Sequence, residues 1–381
     1  MIDPARFVEQ LSTLGIGLVT GVPDSLLKSF NAQVMGALDR EHHIIAANEG
    51  ASVGMAIGHY LRTASPALVY LQNSGFGNTV NPLLSLADPD VYGIPMVLLV
   101  GWRGQPGVRD EPQHVKQGWI MPQLLDALEL PWEVLPADQT DADQCLAEAV
   151  ETAQEQLTPY VLLVEQGTFA DAPPAPADDV GGSLASREEA LTALVESLGS
   201  DTVNVSTTGM LSRELFELRE RTGADGARDF LTVGGMGHAS SIALGIALRE
   251  PDREVWCLDG DGALLMHLGT AAVIAAHAPA NLFHVVFNNG VHDSVGGQPT
   301  SIEVVDVAAA ARAVGYRWAA STHDTGSVAT QVAEMRHVGG PSLLELRVRV
   351  GSRPGIGRPT RTPSQSKERF MAALRGDGAD S

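Results

Sequence analysis

Short apolar runs alternate with amphipathic stretches along nearly the whole chain, and this alternation limits the possible folds more than any single motif. A run that is apolar at successive positions suits a strand buried on both faces, which occurs where helices cover both sides of a parallel sheet. In the first half the runs predict strands at residues 17–20, 43–47, 67–72, 96–101 and 160–165, with helices between them such as 51–62. In the second half strands are predicted at 203–206, 230–233, 254–258, 282–287 and 342–348. The expected class is α/β, with two doubly wound parallel-sheet domains. A length of 381 residues agrees with about two or three domains.

Between the halves, residues 170–183 are rich in Pro, Gly, Ala and Asp and lack periodicity, which predicts a linker. The expected organisation is a first domain at 1–169, a linker at 170–185, a second domain at 186–365 and a polar tail at 366–381. Lys and Arg number 25 against 46 Asp and Glu, a net charge of −21. That balance repels phosphate backbones and anionic lipid, so neither a nucleic acid nor a membrane surface is expected as a partner. Cys145 and Cys257 cannot build a disulfide framework and lack zinc-site spacing. No run reaches the roughly 18 apolar residues of a membrane span. Residues 1–7 carry neither a basic nor an apolar leader segment, and Asp3 before Pro4 predicts the cap and first turn of a helix. A cytoplasmic location is the expectation.

The chemistry concentrates where strands end. The run 254–258 leads into Asp259, Gly260, Asp261 and Gly262 and then a predicted helix. Carboxylates at the carboxyl end of a parallel strand stand at the ligand edge of such sheets, and free amides at a helix start favour phosphate. About 25 residues later come Asn288, Asn289, Gly290 and Val291, far enough for one helix and the neighbouring strand. A carboxylate, a carboxamide oxygen and a backbone carbonyl together suit Mg²⁺, which completes its octahedron with diphosphate and water. Asp-Gly and Asn-Gly are also ordinary turn formers. Their spacing on successive strand ends favours the metal reading.

This arrangement resembles the signature of thiamine diphosphate enzymes, Gly-Asp-Gly followed by Asn-Asn. Such enzymes pair a pyrimidine-binding (PYR) and a pyrophosphate-binding (PP) domain, and here Glu49, after the 43–47 run, matches the essential glutamate of the former. Without the second half, Glu49 would read as a helix-start residue favoured by the dipole. Met236 matches the residue that wedges the cofactor into its V shape, and Gly234 the carbonyl that meets its 4′-amino group. Ser206 and Thr207 match diphosphate-contacting hydroxyls, with helix capping as the plainer role. The segments at 72–85, 109–114, 261–269 and 288–300 are similar to the phosphonopyruvate decarboxylase family, with sulfopyruvate decarboxylase as near relative and no central third domain.

The resemblance implies thiamine diphosphate and Mg²⁺ as cofactors, Asp261, Asn289 and the Val291 carbonyl as metal ligands, and Gly260, Gly262, Ala263, Gln72 and Asn73 in the cofactor site. It also implies a homodimer or larger assembly with the cofactor shared between subunits, and a role in phosphonate or antibiotic biosynthesis. A phosphonate substrate on so acidic a chain demands a focused basic patch. Arg103, Arg109, His114 and Lys116, read as parts of one Gly-rich loop, are the candidates, followed by Lys28 and His292. Proton transfer falls to Asp24, His114 and His292, in that order of preference. His267 is expected to be structural, His42, His43 and His277 are given no role, and Cys257 reads as a core residue. The competing expectations are a sulfopyruvate decarboxylase and, from another class, a non-catalytic nucleotide-binding α/β protein.

Overall fold

A computed structural model describes residues 1–171 and 183–376. The chain divides into two compact units, Met1–Ala177 with Val295–Gln298 and Asp178–Ser294 with Pro299–Ser381. Most of the stretch expected as a linker, residues 172–182, lies outside the described residues.

The first unit contains β1 (Leu18–Gly21), β2 (His43–Ile45), β3 (Ala67–Gln72), β4 (Met96–Gly101), β5 (Trp132–Val134) and β6 (Pro159–Val164). They form one parallel sheet in the order β2-β1-β3-β4-β6-β5. Successive residues of the strands serve opposite cores. Val19, Leu68, Tyr70, Val97, Leu99 and Leu162 face one apolar cluster, and Leu18, Val69, Leu71, Leu98, Val100 and Leu163 face another. Burial of both faces is the physical reason these strands read as unbroken apolar runs.

Strands β7 (Val203–Ser206), β8 (Asp229–Leu231), β9 (Val255–Gly260), β10 (Leu282–Asn288), the two-residue β11 (Val291–His292) and β12 (Gln298–Pro299), β13 (Trp318–Thr322) and β14 (Ser342–Arg347) follow, and all but Gln298 of β12 lie in the second unit. Its sheet is again parallel, ordered β13-β14-β10-β9-β7-β8. Counted within its own unit, each sheet runs 2-1-3-4-6-5. One topology is thus used twice, although the sequence shows no repeat. In such sheets ligands bind beyond the strand ends where the winding reverses, here after β1 and β3 and after β7 and β9.

Most of the expected strands shift by one or two residues at an end, and larger differences occur elsewhere. β5 and β13 are additional edge strands. The helix expected at 51–62 begins at Glu49 and ends at Thr63, with Asn48 as its N-cap. The tail expected from residue 366 begins as the helix Pro363–Gly376, whose Phe370 is buried against Phe230 with ring centroids 5.4 Å apart. The amino-terminal helix Pro4–Thr13 is capped by Asp3, as read from the sequence. Among the described residues no helix is long and apolar enough to cross a membrane.

Candidate active site

In the first unit, Glu49 opens the helix Glu49–Thr63 yet is only 6% exposed. Asn78 Nδ2 donates to Glu49 Oε2 at 2.7 Å. The other oxygen lies against the backbone of Gly75, where an added Cβ would stand 2.0 Å from Oε1. Only glycine leaves that space. Burial raises the Glu49 pKa, and the Asn78 bond opposes the rise only in part. The result is a fixed carboxyl that keeps a proton more readily than a solvated one.

Asp24, three residues beyond β1, is fully buried. Its Oδ2 accepts from Leu26 N at 2.9 Å, while Oδ1 has no partner. Burial pushes its pKa up to about 6, against the pull of the Leu26 amide and the Arg103 charge. Asp24 is therefore a carboxyl that exchanges a proton near neutrality.

Arg103, expected to meet the anion, is engaged within the unit. Its Nε and Nη2 donate to the two oxygens of Asp110 at 2.7 and 2.5 Å, and Nη1 donates to Ser25 Oγ at 2.8 Å. A guanidinium held in this fork has its charge balanced in place. Asn73 is likewise committed to the Arg103 backbone, donating to its carbonyl at 2.8 Å and accepting from its amide at 3.1 Å. Gln72 donates to Ser74 Oγ. Arg109 and Lys116 remain exposed.

His114 and Lys116 do not lie in the Gly-rich loop expected for them. They lie in the opening turns of the helix Pro112–Ala127, which starts with Pro at the position that suits it. The His114 Nδ1 is buried without a partner, and burial, with Arg103 nearby, lowers its pKa. Lys28 stands exposed at the start of the helix Lys28–Ala37.

In the second unit, β9 and β10 pair with Gly260 beside Phe287, so Asp261 and Asn289 emerge from adjacent strand ends. The strand adjacency expected from the spacing is present. Asp261 is 4% exposed and accepts from Thr300 Oγ1 at 2.6 Å. Burial raises its pKa to about 6, against the pull of the Thr300 hydroxyl and the Gly262 amide. Asn288 is turned inward, donating to Glu345 at 2.6 Å. Asn289 Oδ1 accepts from Val291 N at 3.2 Å, and its Nδ2 is buried without a partner.

Ser206 ends β7 and is fully buried, accepting from Ser212 Oγ at 3.1 Å; the neighbouring Thr207 hydroxyl is buried and unpartnered. The helix after Asp261 is shorter than expected, Asp261–Met266, and a second begins at Thr270. An added Cβ on Gly262 would stand 3.0 Å from the His292 ring and 3.4 Å from the Met236 methyl, so both side chains close on this glycine. Burial drives the His292 pKa down to about 4, which leaves its ring neutral at pH 7. Gly234 lies partly exposed two residues before Met236, Gly260 closes β9, and Ala263 is buried behind Gly262.

His267 is edge-on to His238, with centroids 4.5 Å apart. Cys257 is 1% exposed in the core. With Asp259 and His284 it forms a buried group of potential metal donors. The two ring nitrogens of His284 are already engaged, one facing Asp259 and the other Tyr316 at 3.4 Å each.

The donor set of Asp261 and Asn289 consists of hard oxygens, and the unpartnered Thr207 hydroxyl stands at the matching winding reversal. These residues fit Mg²⁺ and a diphosphate. Sequence reasoning missed Asn78 and Thr300, although both fall within the segments 72–85 and 288–300 that carried the resemblance. Nothing local in the sequence pairs Asn78 with Glu49 or Thr300 with Asp261.

Known proteins give the same class. Residues 5–130 match the family described as "Thiamine pyrophosphate enzyme, N-terminal TPP binding domain", and residues 207–346 match "Thiamine pyrophosphate enzyme, C-terminal TPP binding domain". Phosphonopyruvate decarboxylase of Streptomyces viridochromogenes is 38% identical over 386 residues, covering 98% of this chain and 95% of that one. The protein of the same name from Streptomyces hygroscopicus is 37% identical, covering 97% and 93%. Sulfopyruvate decarboxylase of Methanosarcina acetivorans is 27% identical, covering 97% of each chain. The chain belongs to the phosphonopyruvate decarboxylase family of thiamine pyrophosphate enzymes.

Proposed function

We propose that the protein decarboxylates 3-phosphonopyruvate to phosphonoacetaldehyde and CO₂, using thiamine diphosphate and Mg²⁺. The observation that carries this reading is the full-length similarity to two phosphonopyruvate decarboxylases, at 38% and 37% identity, against 27% to a sulfopyruvate decarboxylase. Bound thiamine diphosphate supplies the electron sink that allows CO₂ to leave.

The chain supplies the rest. Asp261, Asn289 and the Val291 carbonyl hold the cation, and Thr300 orients Asp261. Ser206, Thr207, Gly260, Gly262 and Ala263 hold the diphosphate, with Met236 and the Gly234 carbonyl supporting the ring system. Glu49, kept in its niche by Asn78 and Gly75, holds a proton at N1′ of the aminopyrimidine. Its buried position and raised pKa support that role. Asp24 delivers the proton that replaces CO₂, since it exchanges near neutrality while the His292 ring is held neutral by a pKa near 4. His114, with its unpartnered Nδ1, is the second proton carrier.

For the phosphonate, Arg109, Lys116 and Lys28 are the candidate cations that stand exposed. Arg103, paired to Asp110, holds its segment in shape. Self-association and a place in phosphonate biosynthesis are parts of the same proposal.

A phosphonate and a sulfonate differ little in shape, so discrimination rests on about one charge and a proton. CO₂ release measured on 3-phosphonopyruvate and on sulfopyruvate tests the substrate. Phosphonopyruvate is expected to give the higher kcat/KM. A preference for sulfopyruvate beyond about tenfold, or about 1.4 kcal/mol in transition-state binding, overturns the assignment.

A further inference from the structure

Three charged side chains outside the ligand set form a cluster in the second unit, with Arg187 and Glu214 buried and Asp293 partly buried. Arg187, the first residue of the helix Arg187–Ser197, is 7% exposed. Its Nε and Nη2 donate to the two oxygens of Glu214 at 2.7 and 3.0 Å. Its Nη1 and Nη2 also donate to Asp293 Oδ2 at 3.3 and 3.2 Å. Glu214 is 1% exposed on the helix Met210–Thr222, which follows Ser206 and Thr207 by a short turn. Asp293 follows His292 directly and stands two residues beyond Val291.

Helix electrostatics do not account for Arg187, because a cation at a helix start opposes the dipole. Nor does stability, since a buried ion cluster is commonly no more stabilising than apolar residues of like volume. Position is what the cluster does supply. One guanidinium fork joins the segment of Asn289 and Val291 to the helix after Ser206 and Thr207. The two segments also run close together, with Ser294 Oγ 3.9 Å from where a Cβ on Gly209 would stand. The strand-proximal end of the Asn289 segment is already held, because Thr300 N donates to Gly290 O at 2.8 Å. Beyond β11, which pairs with β12, Asp293 ties the segment to Arg187.

We propose that Arg187 is a positioning residue that, through Asp293 and Glu214, sets the spacing between the metal ligands Asn289 and Val291 and the diphosphate hydroxyls of Ser206 and Thr207. This inference rests on the assignment of those four residues as cofactor ligands. Orienting groups behind a metal's ligands commonly govern affinity by about 10- to 100-fold.

The test uses the full chain, with ThDP titrated calorimetrically in saturating Mg²⁺ and melting followed without cofactor. Asp293→Ala leaves the Arg187–Glu214 pair intact at a site 18% exposed, so the cofactor-free chain is expected to melt within a few degrees of wild type. Its affinity for ThDP is expected to fall at least tenfold. Asp293→Asn keeps an acceptor and is expected to stay within about threefold of wild type. Arg187→Lys keeps the charge but loses the fork, and is expected to follow Asp293→Ala. Affinity unchanged in both Asp293→Ala and Arg187→Lys overturns the proposal, as does a lowered melting temperature with unchanged affinity. Failure of the wild-type chain to bind ThDP overturns the cofactor assignment itself and is recognised before any variant is made.

Discussion

Asp24 offers a prediction whose size follows from the structure. Its pKa rises from 3.8 to about 6 because the carboxyl is fully buried and one oxygen lacks a donor. A group that binds its proton more tightly in the folded state contributes stability that is complete below the unfolded pKa and lost as pH rises through the folded one. A shift of about two units corresponds to roughly 3 kcal/mol, and because the group is buried no discount for solvent applies. Relative to Asp24→Asn, the wild-type chain should therefore lose about 3 kcal/mol between strongly acidic and neutral pH, roughly half of it between pH 5 and pH 7. Any packing cost of the amide is independent of pH and cancels in the comparison. Urea unfolding of both proteins at one protein concentration, across pH 5 to 8, measures the difference. If the gap between them stays flat within about 0.5 kcal/mol, Asp24 does not titrate as its burial requires.

Glu49→Gln should keep ThDP affinity within about threefold while turnover drops by about 10²- to 10⁴-fold, as titration calorimetry and CO₂ release would record; near-normal turnover removes Glu49 from proton holding. Gly75→Ala places a Cβ 2.0 Å from Glu49 Oε1 and must displace the carboxyl. Its kcat/KM should fall about 100-fold, and retention within threefold would mean the niche is not needed. Phe370→Ala should cost about 3 kcal/mol in urea unfolding if the carboxy-terminal helix belongs to the core, and a cost below about 0.5 kcal/mol would separate it from the core.

The central strands β3, β4 and β7 begin and end where the apolar runs predict, because burial on both faces writes a continuous signal into the residues themselves. The edge strands β5 and β13 carried no such signal. Trp132, Glu133 and Val134 are each at least partly exposed, and Trp318, Ala320, Ser321 and Thr322 likewise, so their strand character depends on a neighbour's hydrogen bonds. The helix over Pro112–Ala127 had a local mark, a proline at its first position, that the glycines before it obscured. The repeated 2-1-3-4-6-5 order left no trace as sequence repetition, since a shared topology needs matching burial rather than matching residues.

The same division runs through the site. Asp261, Asn289 and Glu49 could be proposed from the sequence because each sits in a short motif at a strand end, where backbone geometry and side-chain chemistry are encoded within a few residues of one another. The partners that set their behaviour were not. Asn78 reaches Glu49 across 29 residues, Thr300 reaches Asp261 across 39, and Arg187 reaches Asp293 across 106. Arg103 looked like a free cation until the chain brought Asp110 and Ser25 to it. Identity of the reactive groups is a local property of the chain, whereas their protonation, charge balance and aim depend on burial and on contacts that exist only once distant segments have packed.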